Sequence, residues 1–287
     1  MINNKLFKGR TLLIVTKHGK EKVLSNVLEK ELGVKCLVTK EIDTDVLGTF
    51  TGEIERKNDA LTTARLKCEM AMQHYNCDLA IASEGSFGPH PNSVFLAANV
   101  ELLLFLDTKN NVEIVASSIS SETNFGAADI TSENELIEFV EKSGFPLHGF
   151  FLRPSKTDFS SVSNTMMLGM QNSREVLKIY RNLMHTHGKV YIETDMRAMH
   201  NPTRMKVIAA ALEKLIEKIK SECAECRTPG FSVTEVKAGL PCEWCGRPTN
   251  SPLSAIYVCK KCAFQKETFF PQNKKTEDPM YCDNCNP

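Results

Sequence analysis

Eight of the eleven cysteines lie in the last 65 residues, as four Cys-x-x-Cys pairs: Cys223/Cys226, Cys242/Cys245, Cys259/Cys262 and Cys282/Cys285. Two thiolates at that spacing grip one tetrahedral ion, and two such pairs complete a closed four-sulfur site. The count predicts two structural zinc ions. Disulfides would need an oxidising compartment, and the opening residues MINNKLFKGRTLLIV lack the apolar stretch and small-residue cleavage site of a secretory signal. The expectation is therefore a cytoplasmic protein. A redox role predicts one reactive pair beside a thioredoxin-like strand and helix, and iron–sulfur ligation is usually more compactly spaced. Fifteen residues separate Cys226 from Cys242 and nineteen separate Cys262 from Cys282, so two successive ribbons fit. Interleaving the first pair with the third and the second with the fourth fits almost as well. Closed sites are inert, which leaves them a folding role. The tail holds seven of the twelve prolines and is too small for a large core, so metal binding should supply much of its folding free energy. Trp244, the only tryptophan, is expected to fill the tail's small core.

A second group of chemistry-bearing residues sits in the first 220 positions, in polar segments that follow apolar runs. Thr16-Lys17-His18-Gly19-Lys20 joins a buried strand to a helix start, where backbone N–H groups and the helix dipole favour an anion and Lys17 and Lys20 add charge. It lacks the Gly-x-x-x-x-Gly-Lys pattern of a Walker loop. Ser83-Glu84-Gly85-Ser86-Phe87-Gly88-Pro89-His90-Pro91 reads as a loop beyond a strand, with Glu84 placed to hold Mg²⁺ or act as a base. Glu122, in Ser121–Gly126, and Asp195 and Arg197, in Glu193–His200, stand in similar segments. His200 is a further acid/base or phosphate-contact candidate, and Arg204 lies in register with the apolar stripe of the last helix. A guanidinium there must meet a carboxylate, a carbonyl or a bound anion. Cys36, Cys68 and Cys77 read as buried small hydrophobes. Neither a Gly-x-Ser-x-Gly elbow nor a His-Glu-x-x-His helix is present, so the serine-hydrolase and zincin classes lack their local signatures.

The elements that must position these residues alternate. Strands are expected at Thr11–Thr16, Val34–Thr39, Leu79–Ser83, Val100–Asp107, Val112–Ser120, Gly149–Leu152 and Val190–Glu193, the fourth and fifth joined as a hairpin through Lys109-Asn110-Asn111. Helices are expected at Lys20–Leu32, Asp59–Tyr75, Ser132–Ser143, Arg174–His185 and from Asn201-Pro202 onward, where Asn suits the N-cap and Pro the first turn. Thr157–Gln171 reads as a polar connection. The pattern predicts an α/β body with a mixed sheet flanked by helices at residues 1–221, and a zinc-ribbon domain at 222–287.

Composition narrows the function classes. Hydrophobic content of 42% and charged content of 24% are ordinary for a soluble globular protein, and no apolar run approaches the roughly 20 residues of a membrane span. The net charge is zero, and the tail from Glu222 carries eight basic and eight acidic residues. Two zinc–tetrathiolate sites would leave it about four charges negative. Nucleic-acid binding is therefore disfavoured, since such proteins usually show a basic stripe.

TKHGKE (Thr16–Glu21), GTFTGE (Gly48–Glu53), ASEGSFGPHP (Ala82–Pro91), SSETNFG (Ser120–Gly126), ETDMRAMHNPTRM (Glu193–Met205) and LPCEWCGRPT (Leu240–Thr249) together resemble an uncharacterised bacterial family that combines an α/β body with C-terminal cysteine-pair ribbons. The N-terminal order of elements also resembles the pyrophosphatases that clear inosine and xanthosine triphosphates. That resemblance implies triphosphate contacts at Thr16, Gly19 and Lys20, a helix motif matched by Ala64 and Lys67, and a metal-binding acid at Glu84. Thr62 and Thr63 stand where that motif has an acid and an amide, so Glu53, Glu55 or Asp59 would have to supply the acid. The expectation is a Mg²⁺-dependent hydrolase of a nucleotide or other phosphorylated small molecule, with Glu84 and Glu122 or Asp195 on the metal and Arg197 or Arg204 offsetting charge. A non-enzymatic ribbon adaptor for protein or RNA is the rival.

Overall fold

The computed structural model describes residues 6–16, 18–39, 58–158, 165–167 and 173–287. The fold is α/β, and the chain divides into two compact units, Met1–Leu215 and Ile216–Pro287. The division falls inside the last helix.

The first sheet of the larger unit holds β1 (Thr11–Val15), β2 (Lys35–Val38), β3 (Leu79–His90), β4 (Ser93–Asp107) and β5 (Val112–Ser120), in the order β2-β1-β3-β4-β5. β1 is parallel to β2 and β3, whereas β3, β4 and β5 form an antiparallel meander. Helix α1 (Glu21–Leu32) links β1 to β2 and ends on Gly33, whose φ of 67° permits the left-handed turn that returns its N–H to Glu29. Helix α2 (Ala60–Tyr75) precedes β3. Asp59 caps it by accepting from the Leu61 and Thr62 N–H groups, which occupies one acid that the pyrophosphatase resemblance offered for metal. Ala64, Cys68, Ala71 and Met72 of α2 bury Leu13, Val15, Ala80, Ala82 and Leu104 on one face of the sheet. By strand alternation Leu12, Ile14, Ile81, Leu103 and Phe105 point to the other face, and they too are fully buried.

Residues Ser83–His90 are not a loop. β3 carries straight on through them, paired residue for residue with β4 as far as an irregularity at Pro89/His90. Glycine and proline made the segment read as a turn, but both are tolerated here. Gly85 lies where side chains press on the strand, and Pro89 sits next to the hairpin end. β4 accordingly starts at Ser93, not Val100. The expected turn at Lys109–Asn111 is present, with Asn111 at φ 52°.

A second sheet, which the strand pattern did not separate from the first, contains β6 (Ala127–Ile130), β7 (Phe150–Arg153), β8 (Thr165–Met167) and β9 (Val190–Thr194), antiparallel in the order β6-β9-β7-β8. β6 and β8 were missed because each is only three or four residues long. β8 lies within the expected polar connection, the rest of which falls mostly outside the described residues. Helices α3 (Glu133–Lys142) and α4 (Ser173–His187) cover this sheet through Leu136, Val140, Val176, Tyr180 and Leu183. Ser132 caps α3 by accepting from the Glu135 N–H. Helix α5 (Pro202–Lys220) starts as expected: Asn201 Oδ1 accepts from the Arg204 N–H at 2.9 Å. Among the described residues, no helix is long and apolar enough to cross a membrane.

The smaller unit is a three-stranded antiparallel meander, β10 (Ser232–Ala238), β11 (Pro252–Val258) and β12 (Gln265–Phe269). Its apolar centre is Phe231 with Tyr257 and Phe264, packed beside Cys223 and Cys259. Trp244 does not fill it. The residue is 78% exposed, standing between Cys242 and Cys245, whose side chains both go to the sulfur cage.

Candidate functional sites

The cysteines form two cages, Cys223/Cys226/Cys259/Cys262 and Cys242/Cys245/Cys282/Cys285, with the sulfurs of each within 4.8 Å of one another. The pairing is interleaved, and the meander dictates it. The segments before β10 and between β11 and β12 lie at one end of the sheet, and those between β10 and β11 and after β12 lie at the other. Cysteine pairs placed in successive connections must therefore meet alternately. The cages fit tetrahedral zinc: a Zn–S bond near 2.3 Å implies S···S edges of about 3.8 Å. The separations are 3.7 Å for Cys223–Cys262, 3.5 Å for Cys226–Cys259, 3.9 Å for Cys242–Cys285 and 3.7 Å for Cys245–Cys282.

The first three knuckles share one construction. The N–H groups of Cys223, Cys242 and Cys259 each donate to the carbonyl five residues on, and Arg227, Gly246 and Ala263 take the left-handed conformation just after the second cysteine. Thr228, with Oγ1 3.1 Å from Cys226 Sγ, holds that thiol down at about 6, and the Arg247 N–H holds Cys245 at about 7, while Cys262 and Cys285 in the same cages are pushed up to about 12. Each cage thus has one sulfur that ionises readily and one that needs a cation beside it to do so. Two such closed sites hold structure together and leave no open position for a substrate.

A second constellation lies in the body, where β3 outruns β1. Register pairs Ala82 with Val15, the last residue of β1, so from Ser83 onward β3 has no neighbour on that side of the sheet among the described residues. Its two faces carry different charged groups. Glu84 shares the α2 face, where Lys67 Nζ reaches its Oε1 at 2.5 Å. Ser83, Gly85 and Phe87 share the opposite face with Glu101 and Asn99 of β4. Arg204 from α5 meets Glu101 there, with Nε–Oε1 at 2.7 Å and Nη2–Oε2 at 3.3 Å, and Nη1 donates to the Met196 carbonyl at 2.5 Å. Both partners are wholly buried. A Cβ on Gly85 would lie 2.5 Å from Glu101 Oε1 and closer still to Arg204 Nη2, so only glycine lets this pair close against the strand. The Arg204 guanidinium lies 5.3 Å from the centre of the Phe87 ring.

Lys20 completes this group. Its amine donates to Ser83 Oγ at 2.8 Å and to the Ser83 carbonyl at 3.3 Å, with the side chain buried. Burial foremost, and then the Arg204 charge, lower its pKa to about 7, against the opposing pull of Glu101 and Glu84. Lys20 also begins α1 with no side-chain cap, and the preceding Gly19 has φ 73°. Thr16 is buried nearby in sequence, its Oγ1 accepting from the His18 N–H at 3.4 Å.

The remaining candidates separate from this cluster. Glu122 is a surface residue, 3.7 Å from the equally exposed Lys206. Asp195 is buried but engaged by Arg197, whose N–H and guanidinium both bond its carboxylate, with Arg197 Nη2 at 2.7 Å. His200 is buried beside them, and that burial lowers its pKa. Among the described residues, the only groups of three or more metal-ligating side chains are the two cysteine cages. Glu84, Glu122 and Asp195 thus do not assemble as a carboxylate set. Lys17, Glu53 and Glu55 lie outside the described residues. Of the three other cysteines, Cys68 is buried, with its pKa raised by burial, while Cys36 and Cys77 are only partly covered. Glu101, which the sequence showed only as an interruption in an apolar run, is the residue that motif reading missed. Its partner is 103 positions away.

No curated protein matches this sequence. Residues 67–287, which take in Lys67, Glu84, Glu101, Arg204 and all eight paired cysteines but not Lys20, match the family described as a domain of unknown function, DUF6671, and the chain belongs to that family.

Proposed function

We propose that the body binds a phosphorylated small molecule, a nucleotide in the first instance, at Lys20, and hydrolyses it with Mg²⁺ carried in on the phosphate oxygens. The observation that supports this is a charge mismatch. Among the described residues, the cluster around Ser83–Gly85 contains three cations and two carboxylates. Glu84 is paired with Lys67 and Glu101 with Arg204, while the Lys20 amine is held only by the oxygens of Ser83. Burial lowers the Lys20 pKa to about 7, so a bound anion would hold the amine in its charged form, and the uncapped start of α1 adds N–H groups of the right polarity. Mg²⁺ in phosphoryl-transfer sites commonly relies on one or two carboxylates plus substrate oxygens. Glu84 is the acid that would hold it, exchanging Lys67 for the metal, and Arg204 and Lys67 would offset the charge of the phosphates.

The test is a panel of nucleoside triphosphates and sugar phosphates incubated with the full chain, with Mg²⁺ or with chelator. Mg²⁺-dependent phosphate release, lost in Lys20→Met and reduced at least about a hundredfold in Glu84→Gln, is the expected result. Full turnover by Glu84→Gln would remove that residue from the chemistry.

The exposure of Trp244 favours a second reading, in which the zinc unit is an adaptor surface. Salt-dependent RNA binding that Trp244→Ala abolishes, with zinc content unchanged, would favour it over an enzyme; no binding at low salt would end it.

A further inference from the structure

We propose that the ligand held at Lys20 carries a planar aromatic ring that docks against Phe87 and Phe125, which makes it a nucleotide and not a sugar phosphate or inorganic polyphosphate. The inference rests on the anion reading above and extends it from charge to shape. Ser83, Gly85 and Phe87 point from the same face of β3, at successive steps of about 6.6 Å. They are met in turn by the Lys20 amine, the Arg204 guanidinium and the Phe125 ring. The Lys20 amine and the aromatic pair thus stand about 13 Å apart along one face of the strand, with the buried Arg204–Glu101 pair between them, a span that a nucleotide covers from phosphate to base.

Three observations mark the aromatic end as a ligand site. Phe87 and Phe125 stack with centroids 5.7 Å apart and planes inclined by 27°, yet Phe125 remains 40% exposed, so the stack has an open side. Phe125 also lines a cavity of about 360 Å³ with Phe139, Asn124 and Lys142, within the usual range for small-molecule pockets; Lys20, Phe87 and Asn99 do not line it, so it adjoins the Phe125 end alone. Asn99 is paired across the strands with Phe87 and is 1% exposed, and its Oδ1 has no hydrogen-bond partner among the described residues. A buried acceptor left unmet is costly, and each of the common bases has an N–H that satisfies it. A polyphosphate has neither a ring nor, when ionised, a donor, and a sugar phosphate, whose hydroxyls could meet the acceptor, has no aromatic face to stack.

The experiment is calorimetric titration of the full, zinc-loaded chain with inorganic tripolyphosphate and with each of the four common ribonucleoside triphosphates. At least one nucleotide should bind roughly tenfold or more tighter than tripolyphosphate, the scale of one base stacked on an aromatic side chain. Phe125→Ala, at a partly exposed site, and Asn99→Leu should each cut that preference severalfold and leave tripolyphosphate affinity unchanged. Equal binding of nucleotides and tripolyphosphate by the wild-type chain overturns the inference and leaves the anion reading standing. So does a preference that survives in both variants. If neither kind of ligand binds, the anion reading fails, and this inference fails with it.

Discussion

A lysine buried without a carboxylate is held in place at a cost, and Lys20 shows where that cost appears. Its pKa in the folded chain is about 7, against an ordinary value of 10.5. Below pH 7 the amine is protonated in both states, so the penalty for burying its charge is present in full. Between 7 and 10.5 the unfolded chain binds the extra proton, and stability from this group rises with pH. Lys20→Met should therefore melt at a higher temperature than the wild type at pH 6, with the gap narrowing steadily toward pH 10. A gap that is constant with pH would mean the amine is not desolvated. An anionic ligand reverses the pressure, so its affinity should fall as pH rises above 7. How far this site was legible differs by residue. Arg204 stood out because a guanidinium in register with an apolar helix stripe demands a partner. Glu101 did not, because a carboxylate within a strand gives no local sign of an arginine on another element.

At the scale of elements, the sequence misled most at β3. Gly85, Gly88 and Pro89 are turn formers by intrinsic preference, and the long hairpin overrides them because β4 offers a partner for every residue as far as Pro89. Glycine marked a close approach, not a bend. The cysteine pairs failed to reveal their partners for a related reason. Chain distance argues for neighbours, but a meander returns alternate connections to the same end, and the strands between the pairs are short and mostly exposed. Metal counting distinguishes the two pairings. Cys226→Ser combined with Cys259→Ser removes ligands from one interleaved cage and should leave one zinc per chain by elemental analysis. Successive ribbons would lose both.

For the whole molecule, the alternation of apolar runs and polar segments was enough to identify an α/β body and a cysteine-rich tail, because hydrophobic periodicity reports directly on which side of each element is buried. It was not enough to divide the body into two sheets. That depends on which strands find each other, and a strand as short as β6 is specified by packing with α3 and α4 more than by its own composition. The two compact units divide at Leu215/Ile216, within α5. A continuous helix hides a boundary that a proline-rich linker would have announced.

The alternating cages also set a problem for the chain while it is being made. Synthesis delivers the first and second cysteine pairs before the third, which follows thirteen residues later. At about 5–20 residues per second, that leaves roughly a second during which the four thiols already out belong to different final sites. A zinc ion captured in that interval binds partners that must later part, and reaching the native arrangement then requires the metal to pass from one sulfur to another as the meander closes.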